Sequence, residues 1–358
     1  MTYSLSEESL AYESRTEAYY DACAADMTQL LIDLVQVRKE MAAYWGYEEY
    51  SLFANDFSYY RDYTPMDARQ LLEDIRTLLV PLYRQVNESD VWDLSYEPSS
   101  EKETFQAVRQ AAQAMGGIIW DAFRLMENYG LYDMTYSQNK YNASFEIYLT
   151  AYYEPFVFLN PEGTVYDRLT LAHEFGHFCN DFACYGSYAG IDVSEIYSQG
   201  MEYLSLCYGE DTTDLTRVKM ADSLSVYVEQ AAFAWFEQEL YALPESQLTV
   251  EGVTALYEQT ALDYGFDSVG YDPREFVDIT HFYTNPMYII SYVVSNDAAM
   301  QLYQLEQAEP GAGLAWMKEH LSSQESWFLA FLDQTGMESP FAEGRIDHVR
   351  QTFAAVFG

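Results

Sequence analysis

Positively charged residues are scarce in this 358-residue sequence. It contains 18 lysines and arginines against 57 aspartates and glutamates, which gives a formal net charge of −39 at pH 7. Proteins that bind nucleic acid neutralise phosphates with basic patches, and no such patch is visible in the sequence. Binding to an anionic membrane surface is disfavoured for the same reason. The negative charge instead favours solubility, and it could attract cationic peptide segments.

Long apolar runs and a cysteine framework are also missing. No run of 18 apolar residues occurs, so the sequence predicts no transmembrane helix. The first eight residues, MTYSLSEE, lack the basic and apolar regions of a signal peptide. The four cysteines are isolated from one another and form no CxxC pair. We therefore expect free thiols and favour a cytoplasmic location, with secretion open if a leader was removed.

Helical periodicity dominates the pattern of apolar residues that is present. Thr64 and Pro65 have the residue types of a helix N-cap and first turn, and Pro81 is expected to kink the helix that starts there. Two short runs rich in aromatic and β-branched residues predict strands at 145–149 and 156–159, and a turn is predicted at 160–163. Helices are predicted at 14–44, 101–127, 165–180, 192–206, 213–243, 250–264 and 276–304, and in two short segments after Gly313.

The sequence His173-Glu174-Phe175-Gly176-His177 carries the strongest chemical signal. Two histidines four residues apart lie on one face of a helix, so both imidazoles can reach one metal ion. Glu174 lies about 100° further round the helix, where it can flank the metal and accept a proton from water. Only five histidines occur in the chain, so a chance match is rare. The motif predicts a site for one zinc ion.

A catalytic zinc needs a third protein ligand and one open position. Glu195 is followed by Gln199 at i+4 and by Glu202 at i+7, all on one face of a predicted helix. We expect Glu195 to be the third ligand, and Gln199 or Glu202 to orient the histidines. The alternative is that this polar stripe is merely a solvated helix face.

These residues resemble the thimet oligopeptidase and oligoendopeptidase F family of zinc peptidases. The resemblance begins with the His173 to His177 motif and continues at residues 195–202, EIYSQGME. It extends to residues 155–164, PFVFLNPEGT, to residues 281–292, HFYTNPMYIISY, and to residues 38–50, RKEMAAYWGYEEY. It therefore spans most of the chain, and the zinc motif is its most specific part.

The resemblance implies a mainly α fold, a multi-helical zincin-type catalytic domain with a small β-sheet next to the HExxH helix. A single domain is expected over residues 1–358, with a helical part at 1–140, the small sheet at 141–170, the zinc-site and His/Tyr helices at 171–310 and C-terminal helices at 311–358. The resemblance also leads us to expect that these 358 residues lack the additional N-terminal helical lobe usual in this family, as in a fragment or in a compact relative.

The resemblance also implies an endopeptidase that cleaves short, unstructured peptides. His281, with Tyr288 or Tyr292, would stabilise the oxyanion of the tetrahedral intermediate. The substrate would pair with the edge of the small sheet, with contacts expected at Ala151, Tyr152, Tyr153, Phe156 and Tyr283. No nucleic acid or membrane partner is expected, and the oligomeric state is open. The alternative function is a zinc-loaded module that binds peptides with little or no hydrolysis.

Overall fold

The computed structural model describes residues 7–141, 143–186 and 190–357, with side chains described from residue 15 onward. The described chain is mainly helical, as the sequence predicts, and carries a small three-stranded sheet. The strands are β1 (Tyr132–Asp133), β2 (Phe145–Leu149) and β3 (Glu154–Phe158). In chain order the α-helices are α1 (Glu7–Tyr44), α2 (Tyr50–Ala54), α3 (Pro65–Leu78), α4 (Val80–Asn87), α5 (Glu101–Met115), α6 (Ile118–Tyr129), α7 (Asp167–Cys184), α8 (Ile191–Tyr208), α9 (Thr213–Ala242), α10 (Val250–Asp263), α11 (Thr280–Thr284), α12 (Ile290–Ala308), α13 (Ala312–His320), α14 (Phe328–Thr335) and α15 (Arg345–Phe357).

The chain divides into two compact units. The first, which we call the α1 unit, comprises the described residues up to Ser58 together with Ala232–Ile289. The second, which we call the sheet unit, comprises Tyr59–Ala231 and the described residues from Ile290 onward. The boundary between Ala231 and Ala232 falls inside α9, so this helix contributes to both units. Within the described residues, no helix is both long and apolar enough to cross a membrane.

In the α1 unit, the long helix α1 packs against α2, α10 and α11. Tyr50 of α2 stacks on Tyr241 of α9 with ring centroids 4.7 Å apart. Arg38 of α1 donates hydrogen bonds to the carbonyl oxygen of Phe282 at 2.8 Å and to the hydroxyl of Tyr241 at 3.1 Å. Arg38 therefore fixes α11 and the end of α9 against the same helix.

In the sheet unit, α8 is a central helix that packs against α5, α7, α12, α13 and α14. Its apolar side chains Ile196, Met201 and Leu204 are fully buried. Helix α7 also packs against α5, α6 and the sheet, and it buries Phe175 and Phe178. Burial on nearly all sides is unusual for helices that carry several charged residues, and it means that those charges need partners.

The small sheet lies beside α7 and has the strand order β1-β3-β2. Strand β2 runs antiparallel to β3, with Phe145 opposite Phe158, and the two rings stack with centroids 4.8 Å apart. The two-residue strand β1 runs parallel to β3. The predicted strand at 145–149 is confirmed, and the one at 156–159 is displaced to Glu154–Phe158. The sequence did not predict β1, which is too short to show alternation.

The predicted start of α3 is confirmed in detail. The hydroxyl of Thr64 accepts a hydrogen bond from the backbone N–H of Asp67, and the backbone N–H of Thr64 donates to the Asp67 carboxylate, which completes a capping box with Pro65 as the first helical residue. The helix predicted to kink at Pro81 is two helices, because α3 ends at Leu78 and α4 begins at Val80. The helix predicted at 101–127 is likewise divided, since Gly116 and Gly117 both have positive φ angles, +64° and +62°.

The prediction of one long helix at 276–304 is wrong. The chain forms a short 3-10 turn, then α11, and only afterwards α12. Pro286 cannot donate the backbone hydrogen bond that a continuous helix needs, and Met287 adopts a left-handed conformation with φ +65°. After Gly311, the described residues contain α13, α14 and α15, where two short segments after Gly313 were predicted.

Candidate metal centre and active site

The predicted metal ligands converge where α7 crosses α8. The Nε2 atoms of His173 and His177 lie 3.5 Å and 3.7 Å from the same carboxylate oxygen of Glu195. One ligand atom from each of the three residues lies within 4.8 Å of the others. Ligand atoms at about 2.0–2.1 Å from a tetrahedral zinc are separated by about 3.3–3.4 Å. Two imidazoles and a carboxylate at this spacing therefore fit a catalytic zinc ion.

Gly176 permits this close crossing of the two helices. A Cβ atom at this position would lie 2.5 Å from the carbonyl oxygen of Tyr197 and 2.6 Å from the Cα atom of Ser198. Both atoms belong to the backbone of α8, close to Glu195. Because glycine has no Cβ, α8 can approach α7 until the Glu195 carboxylate reaches both histidines.

The other ring nitrogen of each histidine has its own polar partner. The Nδ1 atom of His173 lies 2.9 Å from a carboxylate oxygen of Glu202, and the Nδ1 atom of His177 lies 3.3 Å from the hydroxyl oxygen of Ser194. The carboxylate of Glu202 accepts, so its contact favours a proton on Nδ1 of His173, whereas the hydroxyl of Ser194 can donate to or accept from Nδ1 of His177. The carboxylate beside His173 is the kind of partner that raises the basicity of a metal-binding imidazole.

A buried lysine holds Glu202 in turn. Lys219 of α9 is 2% exposed, and its Nζ atom lies 2.8 Å from Glu202 and 3.1 Å from Asp222. Asp222 also accepts a hydrogen bond of 2.8 Å from the hydroxyl of Tyr166, the residue just before α7. A chain of contacts therefore runs from α9 through Glu202 to His173, and a second one runs from α9 to the start of α7.

The charges at this site shift one another's pKa values. Burial alone would favour the neutral form of Glu195, but His177 and His173 outweigh it and hold the pKa of Glu195 well below its ordinary value. Burial likewise opposes the charge of Glu202, and Lys219 together with His173 lowers the pKa of Glu202. The pKa of Lys219 is well above its ordinary value, because Glu202 and Asp222 outweigh the effect of burial. Both carboxylates are therefore ionised at neutral pH.

Glu174 lies on α7 between the two histidines and is 7% exposed. Its carboxylate accepts a hydrogen bond from the backbone N–H of Glu146 in β2, so the sheet helps to place it. Burial raises the pKa of Glu174 above its ordinary value, although the nearby histidines oppose the shift. A carboxylate with a raised pKa next to a metal site is suited to general base catalysis.

A cavity of about 560 Å³ in the sheet unit opens onto these residues. Its wall includes His173 and Glu174 from α7, and Tyr292 from α12, so one of the two predicted oxyanion tyrosines lies in the same cavity as the predicted base. The remaining lining residues are Ala143, Ser144, Asn160, Glu162, Tyr166, Asp167, Leu169, Thr170, Gln199, Glu202, Lys219, Asp222, Val226 and Gln230.

Three of the predicted catalytic or substrate-binding residues lie in the α1 unit. The rings of His281 and Tyr288 stack there with centroids 4.8 Å apart, and burial lowers the pKa of His281. The hydroxyl of Tyr283 lies 3.4 Å from the carbonyl oxygen of Met27. The lowered pKa favours the neutral form of His281 next to the ring of Tyr288.

The remaining predicted residues belong to the sheet unit. Ala151, Tyr152 and Tyr153 form the exposed turn between β2 and β3, and Phe156 lies in β3. Gln199, which was expected to orient a histidine, instead donates a hydrogen bond of 3.0 Å to Ser295 of α12. The reason is its position on α8, where its amide faces α12 and the cavity.

Three residues of the site were not predicted from the sequence. Lys219 contacts Glu202, Asp222 contacts Lys219 in turn, and the buried carboxyl of Glu146 lies near Glu174. Burial, with the negative charges of Asp181 and Glu174, raises the pKa of Glu146 to about 9. A signal for Lys219 did exist, since it is one of 18 cationic residues and stands between Val218 and Met220, both fully buried.

Similar solved structures share this fold. No known family model matches the sequence, and no curated protein matches it. A structure described as oligoendopeptidase F has a TM-score of 0.85 and 20% identity over 98% of this chain and 68% of its own. PZ peptidase A, solved with an inhibitor, has a TM-score of 0.83 and 17% identity over 95% of this chain and 66% of its own. An oligoendopeptidase F structure from Bacillus anthracis has a TM-score of 0.78 and 18% identity over 97% of this chain and 66% of its own.

The chain spans about two thirds of the length of these proteins. It has a mainly helical fold of the oligopeptidase type, with a His-His-Glu group inside it. The resemblance to oligoendopeptidase F that the sequence predicts is confirmed at the level of the fold.

Proposed function

We propose that this chain is a zinc-dependent endopeptidase that hydrolyses short, unstructured peptides. The observation that carries the proposal is the convergence of His173, His177 and Glu195 next to the buried carboxylate of Glu174. Three protein ligands leave one position of a tetrahedral ion open, which distinguishes a catalytic zinc site from a structural one. Imidazole with carboxylate suits zinc, and the shared fold of solved peptidases supports peptides as substrates.

When bound, zinc supplies a Lewis acid that polarises the scissile carbonyl and makes water more acidic. Glu174 takes the proton that the water loses as its oxygen attacks the carbonyl carbon. Glu174 then returns this proton to the amide nitrogen as the C–N bond breaks, which releases a carboxylic acid and an amine; the acid then transfers its proton to the amine, so that a carboxylate and an ammonium group leave at neutral pH. The raised pKa of Glu174 suits a group that must both accept and give up a proton near neutral pH.

The oxygen that gains negative charge needs a hydrogen-bond donor. Tyr292 lines the cavity together with Glu174, and its hydroxyl is our candidate donor in the sheet unit. We extend the proposal to His281 and Tyr288 on the basis of the sequence resemblance. Glu202 and Ser194 orient the two histidines through their Nδ1 atoms.

The test compares zinc-loaded wild-type protein with the Glu174→Gln variant on a mixed library of quenched peptides, with the fragments identified by mass spectrometry. We expect the wild type to cleave internal bonds, a chelator to abolish cleavage, and zinc to restore it. Loss of the general base should lower kcat by about 10²–10⁴-fold while zinc affinity is retained. Glu73→Gln, on α3 and paired with Arg76, is a matched control that should cleave like the wild type.

Two outcomes would contradict the proposal. Full zinc-dependent cleavage by Glu174→Gln would show that the mechanism is wrong. Peptides that bind zinc-loaded wild-type protein but remain intact would favour the alternative function, a peptide-binding module.

A further inference from the structure

The orientation of the Gln199 amide is fixed by the hydrogen bonds around it. The hydroxyl of Ser295 donates its single proton to the carbonyl oxygen of Ser291 at 2.6 Å. Ser295 can therefore only accept from Gln199, whose Nε2 atom lies 3.0 Å away. The amide nitrogen of Gln199 must face Ser295, and its carbonyl oxygen must point the other way.

That carbonyl oxygen is buried, and no donor within the described part of the chain reaches it. Gln199 is only 5% exposed, and its Oε1 atom has no hydrogen-bond partner among the described residues. Gln199 lines the cavity beside the metal centre. A buried acceptor without a donor is destabilising, so a site of this kind is stabilised when a ligand brings an N–H or O–H group to it.

The charge of the cavity decides which donor fits best. Apart from the proposed base Glu174, the described lining residues include four carboxylates and one ammonium group, that of Lys219; the carboxylates are those of Glu162, Asp167, Glu202 and Asp222. Lys219 lies between Glu202 and Asp222, so these three groups together remain negative. Near Gln199 a cationic donor is therefore favoured over a neutral one.

We propose that the cavity is a substrate subsite for a primary ammonium group, with the carbonyl oxygen of Gln199 as its hydrogen-bond acceptor and the surrounding carboxylates as its counter-charge. The inference rests on the proposed function, because it assigns a specificity to the same active site. The ammonium group can come from a lysine side chain or from the N-terminus of a peptide. The cavity volume of about 560 Å³ accommodates either.

The test measures binding separately from cleavage. Zinc-loaded Glu174→Gln protein is titrated calorimetrically with a peptide series in which lysine or norleucine occupies each position in turn. Each peptide is used with a free and with an acetylated N-terminus, which separates the two sources of ammonium. We expect that lysine in place of norleucine at one position, or a free N-terminus in place of an acetylated one, lowers the Kd by about tenfold. A change of this size is in the range of a hydrogen bond to a charged group.

Two substitutions at Gln199 then test the acceptor. Gln199→Met removes the acceptor. The ratio between the Kd of the peptide without the ammonium group and the Kd of the matched peptide that carries it should then be close to one. Gln199→Glu keeps an acceptor and adds a negative charge, so it should increase this ratio. It tests the acceptor role of residue 199 if the methionine variant does not fold. Ser295→Ala removes the contact that orients the amide but keeps the carbonyl oxygen, so the ratio should fall less than in Gln199→Met.

The inference is overturned if no position and no N-terminus shows an ammonium preference. It is also overturned if Gln199→Met weakens lysine and norleucine peptides equally, which would indicate a structural role. Because the readout is binding, an ammonium preference without any cleavage by the wild type would contradict the proposed peptidase function and leave the subsite standing.

Discussion

The replacement of Gly176 by alanine tests whether the close approach of α7 and α8 creates the metal centre. The new Cβ atom would lie 2.5 Å from the carbonyl oxygen of Tyr197, whereas ordinary contacts begin at 3.4 Å. Relief of this conflict requires a displacement of about 0.9 Å, the difference between the two distances. The opposing atoms are backbone atoms of α8, so no side-chain rotation can relieve the conflict.

This displacement is large compared with what a metal site tolerates. Metal–ligand distances must stay within about 0.2 Å of their ideal values, and Glu195 is two residues away from Tyr197 on α8. We therefore expect Gly176→Ala to weaken zinc binding by about 10–100-fold or more. Overpacking costs about 1–3 kcal/mol, and the helix propensity of alanine returns about 1 kcal/mol. The free energy of unfolding of the zinc-free protein should therefore fall by about 0–2 kcal/mol.

Zinc affinity is measured by competition with a chromophoric chelator, and stability by urea unfolding of zinc-free protein. Gly200→Ala is the matched control, because it introduces the same methyl group on the opposite side of α8. There the new atom meets the ends of the Leu302 and Met317 side chains, which can move. We expect this control to bind zinc within about twofold of the wild type, since Glu195 need not shift. Wild-type zinc affinity in Gly176→Ala would refute the reasoning.

Three further predictions concern single residues. Lys219→Met should weaken zinc binding by about tenfold, because it removes the partner that holds Glu202. Chelator competition should therefore give the double variant Lys219→Met/Glu202→Gln the same zinc affinity as Glu202→Gln alone. Additive losses of affinity would mean that Lys219 acts by another route. Glu146 has a pKa of about 9 against an ordinary value of 4.5, so the folded protein keeps a proton that the unfolded chain releases, and stability falls as pH rises between these values. We measure the free energy of unfolding of both proteins in urea at pH 5.5 and 7.5. Between these two pH values the wild type should lose about 2–3 kcal/mol more than Glu146→Gln does. An equal change in the free energy of unfolding of the two proteins would contradict the assignment. His281→Ala should lower kcat by about 10²-fold with a smaller change in KM, as expected for a lost oxyanion donor, whereas the exposed His348→Ala should not; equal kinetics would remove His281 from the mechanism.

The fold class and the two crossing helices could be predicted from the sequence. Predicted helices at 165–180 and 192–206 correspond to α7 and α8, because apolar residues recur there at helical spacing. The spacing of His173 and His177 places them on one helix face whatever the rest of the chain does. Local pattern is sufficient for features of this kind, since each depends on residues within one or two turns.

Features that depend on distant parts of the chain could not be predicted in this way. The contact between Lys219 and Glu202 joins α9 to α8, and sequence spacing gives no information about which helices meet. Gln199 illustrates the same limit, because its position on the face of Glu195 and Glu202 suggested a histidine as its partner. The packing of α12 against α8 gave it Ser295 instead.

The two glycines of the crossing helices connect the sequence motif to its chemistry. An interior glycine lowers helix stability by about 1 kcal/mol relative to alanine, yet α7 and α8 each contain one beside the metal ligands. Gly176 meets the backbone of α8, and Gly200 meets side chains of α12 and α13 on the other side. Helix α8 therefore packs closely on both faces, and these contacts restrict its position relative to α7, α12 and α13. The HExxH spacing supplies two proposed ligands and a proposed base, whereas the approach of Glu195 to them depends on close helix packing that Gly176 and Gly200 permit.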